Sequence, residues 1–190
     1  MQIIVESGVP LDVDSRDKNE RYVYHFLESK GISFLRADHD SISTMSGCEE
    51  IEKKLDCLVP KNLFLSNRQE TQYYLLVMPG NKTFKAKELS HQINSARLSF
   101  GKEEKLKEYL HCFPGSTSIF GLIFDQEERV KLLIDKDLLK EQYLAFHPCM
   151  NTSTIKIETK VVIHEILPSL KRPFTTVSLI GEEISNQKWA

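Results

Sequence analysis

Three short stretches of the sequence carry residue types from which a binding or catalytic site could be built. Lys61 precedes the apolar run of PKNLFL, and a lysine at the mouth of a strand can hold a phosphate or a carboxylate by charge. In PGSTSIFGL, Gly115 and Gly121 let the backbone approach a ligand, and exposed N–H groups of such a turn can bind an oxyanion. Ser118 could add a hydroxyl donor. A solvated strand end and a turn leading into a bulged strand remain open as alternatives.

The third stretch is FHPCMNTSTI, residues 146–155. His147 could act as a base, as a hydrogen-bond donor or as a structural side chain. Asn151 and Thr154 could bind a polar ligand or cap a turn. Cys149, two residues after His147 in what would be an extended strand, also suggests a nucleophile, but we disfavour that pairing.

Composition and net charge limit the classes of protein to which this chain can belong. The 190 residues suit one domain spanning 1–190, with 41% hydrophobic and 27% charged residues and a net charge of -2. A nucleic-acid partner would therefore have to meet a local basic patch. The stretches NKTFKAK (81–87) and GKEEKLK (101–107) could supply one, or they could be solvated faces of mixed charge.

The cysteines indicate a reducing compartment. Cys48, Cys57, Cys112 and Cys149 form no C-x-x-C pair and no spacing typical of zinc sites, so we expect free thiols and no metal. The first residues lack the pattern of a signal peptide, and no apolar run has membrane-spanning length. The sequence also lacks the usual nucleotide-cofactor motifs. We expect a cytoplasmic protein without a cofactor and without a membrane association.

Hydrophobic periodicity predicts the elements that must position these residues. Helices are expected in 13–31, capped by Asp14 or Ser15 and ended by Gly31, and in 47–57, 86–93, 102–112 and 159–170. Strands are expected in 32–38, 62–66, 72–78, 130–136 and 153–158, with a turn and then a strand in 113–124 and an edge strand in 171–180. This interleaving predicts an α/β or α+β domain with a mixed sheet.

Taken together and in order, the three stretches resemble the YbaK/ProX family of aminoacyl-tRNA editing domains, most of all its ProX branch of free-standing prolyl-tRNA editing proteins. The resemblance covers about residues 18–170. It implies a curved mixed β-sheet flanked by helices, with a pocket on one side. It is carried by KNLFL at 61–65, by Gly115-Ser116 with Ser118 and FGL at 120–122, by FHP at 146–148 with Asn151-Thr152 and Thr154, and upstream by His39 and Thr44.

The resemblance also implies roles for individual residues. Lys61 matches the key lysine of the family and would anchor the terminal phosphate or order the polar groups of the substrate. Gly115 lies in the loop whose N–H groups would polarise the ester carbonyl, and Ser118 lies where the family often has Ser or Thr. The family usually lacks a protein nucleophile, so water assisted by a ribose hydroxyl is the implied attacker. The implied substrate-binding residues are His39, Thr44, Asn62, Phe120, Gly121, His147, Asn151 and Thr154.

The implied activity is hydrolysis of the ester between a wrong amino acid and tRNA, with alanine on proline tRNA as the expected substrate. Another amino acid (cysteine, serine or an analogue), a non-catalytic module that binds tRNA or a synthetase, and a small-ligand-binding domain are the alternatives. Prolyl-tRNA synthetase is an expected partner. Ile119 stands where many relatives have Pro, and Cys149 and Met150 also depart from the family, so we expect these three positions to affect pocket size.

Overall fold

The computed structural model describes residues 2–42 and 45–180. Its helices are α1 (Lys18–Ser29), α2 (Met45–Leu55), α3 (Ala86–Gln92), α4 (Glu103–Leu110), α5 (Thr159–Val161) and α6 (Leu167–Ser169), the last two joined by a π-helical segment (Val162–Ile166). Its strands are β1 (Ile3–Ser7), β2 (Leu35–His39), β3 (Lys61–Asn67), β4 (Tyr73–Met78), β5 (Leu98–Phe100), β6 (Val130–Asp135), β7 (Tyr143–Phe146), β8 (Ser153–Glu158) and β9 (Phe174–Val177).

The strands of the described residues divide between two sheets. Sheet A has the order β1-β2-β8-β7 and is antiparallel throughout. Sheet B has the order β5-β3-β4-β6-β9, with antiparallel pairs on the β3 side and parallel pairs on the β6 side. The predicted mixed α/β class is confirmed. The sequence pattern did not indicate that the strands would form two sheets.

Both faces of β4, at the centre of sheet B, are buried, as its continuous apolar run predicts. Tyr73, Leu75 and Val77 point into a core that includes residues of α1. The alternate residues of β4 point into a second core, which includes Leu89 of α3. Helices α1 and α3 therefore cover opposite faces of this sheet.

The two sheets meet at one backbone junction that matters for the site. Leu58 forms an isolated parallel bridge with Leu144 of β7, and the N–H of Ala145 donates to the carbonyl of Leu58 over 2.9 Å. Because Leu58 lies just before β3, this junction brings the start of β3 beside the end of β7. Lys61 and His147 are thereby placed in one region.

The predicted N-cap of the first helix is wrong. The segment Val13–Ser15 forms a 3-10 turn, and Arg16 then adopts an extended conformation, so the α-helix cannot begin at Asp14 or Ser15. Asp17 is the cap instead, and its carboxylate accepts a hydrogen bond of 2.7 Å from the N–H of Asn19. The predicted end at Gly31, with a φ of +65°, is confirmed.

The strand predicted in 113–124 is also wrong. Ile119–Ile123 is a 3-10 helix, and the hydroxyl of Ser118 caps it by accepting from the N–H of Phe120 over 3.2 Å. All five residues of the turn are buried. Gly121 packs so tightly on α4 that a Cβ atom there would lie 2.8 Å from the carbonyl of Leu110. A fully apolar run of this length fits a buried strand or a buried helical turn equally well.

Three further expectations from the sequence concern the edge strands, the cysteines and membrane-spanning helices. The edge strand predicted in 171–180 is confirmed as β9, whereas β1 and β5 were not predicted. All four cysteines have free thiols, as expected. No helix within the described ranges has the length and hydrophobicity needed to cross a bilayer.

Candidate active site

A cavity of about 180 Å³ lies where the start of β3, the end of β7 and the loop after α4 meet. Four residues predicted from the sequence line it: Lys61, Asn62, Gly115 and His147. The other lining residues are Cys48, Val59, Pro60, Leu63, Thr117, Ala145 and Phe146. Four larger cavities elsewhere are lined by none of the predicted residues, so the chemistry of the lining identifies this smaller cavity as the candidate site.

Lys61 supplies positive charge to the cavity. Its Nζ atom lies 3.4 Å from the carbonyl oxygen of Lys82, and within the described ranges no carboxylate forms an ion pair with it. No Asp or Glu is among the residues that line the cavity. The ammonium group therefore remains available to an anionic or carbonyl oxygen of a ligand.

Asn62 supplies an acceptor that lacks a partner. Its Nδ2 group donates to the carbonyl of Pro60 over 3.0 Å, which fixes the orientation of the amide. Its Oδ1 atom is buried and accepts no hydrogen bond from the described residues. A buried acceptor without a donor costs about 1–3 kcal/mol, so an N–H or O–H group of a ligand would relieve this cost.

The loop around Gly115 supplies backbone donors. Ser116 closes the turn, since its N–H donates to the carbonyl of Phe113 over 2.9 Å. Gly115 has a φ of +91°, which glycine adopts without strain. The N–H groups of Gly115 and Thr117 donate to no atom of the described residues, and both residues line the cavity. Two such N–H groups can stabilise negative charge on an ester oxygen.

His147 is held as a neutral imidazole. Its Nδ1 atom lies 2.8 Å from the carbonyl oxygen of Ser153, and a carbonyl can only accept, so Nδ1 carries the hydrogen. The Nε2 atom then has a free lone pair and accepts no hydrogen bond from the described residues. Burial lowers the pKa of His147 to about 4, so the ring is uncharged at neutral pH.

His39 and Thr154 lie behind His147 rather than in the lining. The hydroxyl of Thr154 is 3.1 Å from Nδ1 of His147 and 2.9 Å from Nε2 of His39. Nδ1 of His39 lies 2.9 Å from the carbonyl of Asp40 and so carries the hydrogen, which leaves Nε2 to accept from Thr154. Burial also lowers the pKa of His39. Neither residue, both predicted to bind substrate, is among the described residues that line the cavity, and Thr154 connects His39 to His147 by hydrogen bonds.

Asn151 connects the loops around the cavity. Its Nδ2 group donates to the carbonyl of Ile42 over 2.9 Å, and its carbonyl accepts from the N–H of Ile42 over 3.1 Å. The same Nδ2 atom lies 3.7 Å from the position of a Cβ atom built on Gly115. Asn151 thus supports the Gly115 loop from behind. Thr44, also predicted from the resemblance, lies outside the described residues.

Three further predicted residues are buried behind the loop and do not line the cavity. Ser118 caps the 3-10 turn, and Gly121 packs against α4. Phe120 makes an edge-to-face contact with Phe146, with ring centroids 6.0 Å apart. Ile119 is buried in the same core, so its contact with the cavity is indirect. Their described contacts give these residues a structural role.

The cysteine that reaches the cavity is Cys48, which the sequence interpretation missed. It lies three and seven residues before Ile51 and Leu55 and so shares their apolar face, which was the available signal. Burial and nearby Glu52 raise the pKa of its thiol, which is therefore protonated. Cys149 is fully buried, its thiol contacts that of Cys112, and it is not among the described residues that line the cavity, so any effect on pocket size is indirect.

Comparison with known proteins identifies this arrangement. The family described as the aminoacyl-tRNA editing domain matches residues 41–164, a span that includes every residue lining the cavity. The chain belongs to the aminoacyl-tRNA editing domain family. It is accordingly a hydrolase, an aminoacyl-tRNA deacylase, and the resemblance recognised in the sequence is confirmed. Membership assigns the class of reaction, while the contacts above show which side chains of this editing domain reach the cavity.

The proteins similar to this editing domain include one curated relative and two solved structures. The prolyl-tRNA editing protein ProX of Acetoanaerobium sticklandii is 32% identical over 129 residues, which are 68% of this chain and 79% of that protein. A structure described as a candidate trans-editing enzyme for prolyl tRNA synthetase has a TM-score of 0.64 at 14% identity, covering 88% of this chain and 99% of its own. The hypothetical protein APE2540 has a TM-score of 0.64 at 11% identity, with coverages of 83% and 97%. At these identities the structures support the fold alone.

Proposed function

We propose that this chain edits proline tRNA in trans and that alanine wrongly attached to that tRNA is its substrate. The supporting observation is the convergence on one small cavity of the Lys61 ammonium, the unpartnered Asn62 oxygen and the N–H groups of Gly115 and Thr117. The similarity to a curated prolyl-tRNA editing protein supports the choice of tRNA.

Each group has a distinct task in ester hydrolysis. The N–H groups of Gly115 and Thr117 donate to the ester carbonyl oxygen, where negative charge develops in the transition state. Lys61 pairs with the phosphate of the terminal nucleotide. Asn62 accepts from the ammonium group of the amino acid, and Nε2 of His147 accepts a hydrogen bond at the opposite wall.

The attacking group is water, because the thiol of Cys48, the cysteine among the described lining residues, stays protonated. The water oxygen forms a bond to the carbonyl carbon, and the bond from that carbon to the ribose oxygen breaks. The proton lost by water passes to the departing ribose oxygen, assisted by the neighbouring ribose hydroxyl. The products are the free amino acid and uncharged tRNA. Cys48 takes no part in this step, because its thiol stays protonated.

Selectivity follows from the walls of the cavity. A synthetase site built for proline cannot strongly exclude a smaller amino acid, because the missing methylenes are worth only about 1–3 kcal/mol. The walls here are apolar and fixed, with Val59, Ala145 and Phe146 buried. A cavity of about 180 Å³ bounded in this way favours alanine over the bulkier proline ring.

Deacylation of a panel of charged tRNAs tests the proposal. The panel contains proline tRNA carrying alanine, cysteine, serine or proline. We expect release of alanine and retention of proline, with Lys61→Ala lowering the rate by about 100-fold. Lys30→Ala is the matched control, because Lys30 is exposed at the end of α1 and lies outside the cavity lining.

The same panel separates the alternatives. Faster release of cysteine or serine than of alanine would change the substrate and leave the chemistry intact. Binding of tRNA without release of any amino acid would indicate a non-catalytic module that binds tRNA or a synthetase. Transfer of tRNA from prolyl-tRNA synthetase is tested by adding that enzyme, which should raise the rate of editing if the two proteins associate.

A further inference from the structure

An aromatic pair, exposed Phe100 and partly buried Phe84, lies outside the cavity lining and has no role in the chemistry above. Phe100 of the edge strand β5 is 66% exposed, and its ring contacts that of Phe84 edge to face, with centroids 5.7 Å apart. Edge strands usually carry charged rather than large apolar side chains, because an exposed apolar edge favours unwanted association. An exposed phenylalanine at this position therefore indicates a binding surface.

The pair shares a face of sheet B with Lys61. Phe100 pairs with Leu65 of β3, and side chains of directly paired residues point to the same face. Leu65 and Lys61 are four residues apart on β3, so they share that face as well and their Cα atoms are separated by about 13 Å. Leu63, between them, lines the cavity and packs on the same core as Phe84.

Near the pair, two basic side chains and one acidic side chain, Glu104, form no ion pair within the described ranges, which leaves a small excess of positive charge. Phe84 lies within 81–87 and Phe100 directly precedes 101–107, the two lysine-containing stretches noted in the sequence. The lysines of α4 and Lys102 are paired with glutamates. Lys87, three residues from Phe84, and Arg97, three residues from Phe100, form no ion pair within the described ranges.

We infer that Phe84 and Phe100 form a stacking platform for a base of the single-stranded 3′ end of tRNA. Aromatic rings flanked by basic side chains bind single strands through stacking and phosphate contacts. A distance of about 13 Å corresponds to about four stacked nucleotides at ~3.4 Å each, so a strand whose terminal ester lies in the cavity reaches the platform. The inference rests on the proposed function, because the tRNA end must enter the cavity in this direction.

Equilibrium binding of uncharged proline tRNA tests the platform without using the deacylation reaction. Phe100→Ala should weaken binding of intact tRNA about 10-fold, because stacking of one base is lost. Phe100→Trp should restore it. With tRNA that lacks its last four nucleotides, wild type and Phe100→Ala should bind equally, because the base that would stack on the platform is absent. Tyr22→Ala is the matched control, since Tyr22 is an exposed aromatic on α1, across sheet B from α3.

The outcomes distinguish this inference from the proposed function. Unchanged binding by Phe100→Ala, or an equal loss with intact and shortened tRNA, would overturn the platform. Self-association of the wild type that Phe100→Ala abolishes would assign the surface to a second copy of the chain instead. If no charged tRNA is deacylated but the difference between intact and shortened tRNA persists, the proposed substrate fails and the platform stands.

Discussion

The Nδ1 atom of His147 lies 2.8 Å from the carbonyl oxygen of Ser153, and this hydrogen bond determines which ring nitrogen can act as an acceptor. The Thr154 hydroxyl, 3.1 Å from the same Nδ1 atom, links the ring to His39. A donor at Nδ1 requires an acceptor at Nε2. The tautomer of His147 is thus set by residues that do not line the cavity.

Thr154→Val should therefore impair catalysis without altering the cavity lining. The valine has nearly the same shape but leaves Nε2 of His39 without a donor. We expect kcat/KM for deacylation to fall about 10-fold and the free energy of unfolding to fall by about 1–3 kcal/mol. Thr152→Val is the matched control, because Thr152 is exposed and two residues away. Equal activities of the two variants would show that the hydroxyl does not orient His147.

Acidification should destabilise the fold through His147. Burial lowers its pKa to about 4 from an ordinary value of 6.5, so between these values the unfolded chain binds a proton that the folded chain does not. Stability is complete above the unfolded pKa and is lost as the pH falls toward the folded pKa. From about pH 7 to about pH 5 we expect a loss of about 2 kcal/mol in urea unfolding. His39 adds to this loss in the same direction.

A variant isolates the contribution of His147 to this pH dependence. His147→Gln removes the titrating group, so the free energy of unfolding should change less over the same pH range. His25→Gln is a suitable control, because His25 is half exposed on α1. If wild type and His147→Gln lose the same stability on acidification, the imidazole is not held neutral by burial.

Gly115→Ala should lower the rate of deacylation by more than its modest loss of stability can explain. The φ of +91° is strained for any residue with a Cβ atom, and relief of that strain would move the adjacent N–H groups. We expect the rate of deacylation to fall about 10- to 100-fold, with a loss of roughly 1–2 kcal/mol in unfolding. Gly31→Ala, at a φ of +65° with open space around it, should lose similar stability and keep full activity. Loss of activity in both variants would point to general destabilisation.

Deacylation activity should depend on the thiol of Cys48, which lines the cavity, when the enzyme is alkylated, and should depend little on Cys149. Cys149→Ala should keep kcat/KM within about 2-fold and lower the free energy of unfolding by about 1 kcal/mol, because a fully buried side chain is shortened. Pretreatment with iodoacetamide at alkaline pH, where part of the Cys48 thiol ionises despite its raised pKa, should block later deacylation by adding bulk in the cavity lining. Cys48→Ala should resist that inhibition, whereas Cys149→Ala should not. Inactivation of the enzyme by Cys149→Ala alone would restore the nucleophile hypothesis.

Local patterns were enough to predict most helices and strands, and four of the predicted site residues line the cavity. Apolar runs and turns predicted β3 and β4, and Lys61 is the first residue of β3 and lines the cavity. The 3-10 turn after Ser118 was mistaken for a strand, since a short apolar run does not distinguish the two. Hydrogen bonds between residues distant in sequence, such as that between His39 and Thr154, depend on tertiary structure.

The dependence on tertiary structure also explains why Cys48 was not predicted to line the cavity and why Cys149 was considered as a nucleophile. Cys149 was weighed as part of an extended strand, but it has a φ of +62° in a turn that directs its side chain into the core. Cys48 lies on a helix whose apolar face gave no sign of which element would pack against it. Periodicity predicts that a face is buried, whereas topology determines what covers it.

The backbone bridge between Leu58 and Leu144 gives the cavity a width that no single side chain controls. One wall belongs to sheet A and the other to sheet B, and the hydrogen bond from Ala145 to Leu58 fixes their separation. Substitutions in either core that shift one sheet relative to the other would therefore change the width of the cavity. The amino acid that fits the cavity would then change even when every lining residue is unchanged. Amino-acid preference among relatives with identical linings can diverge by this route.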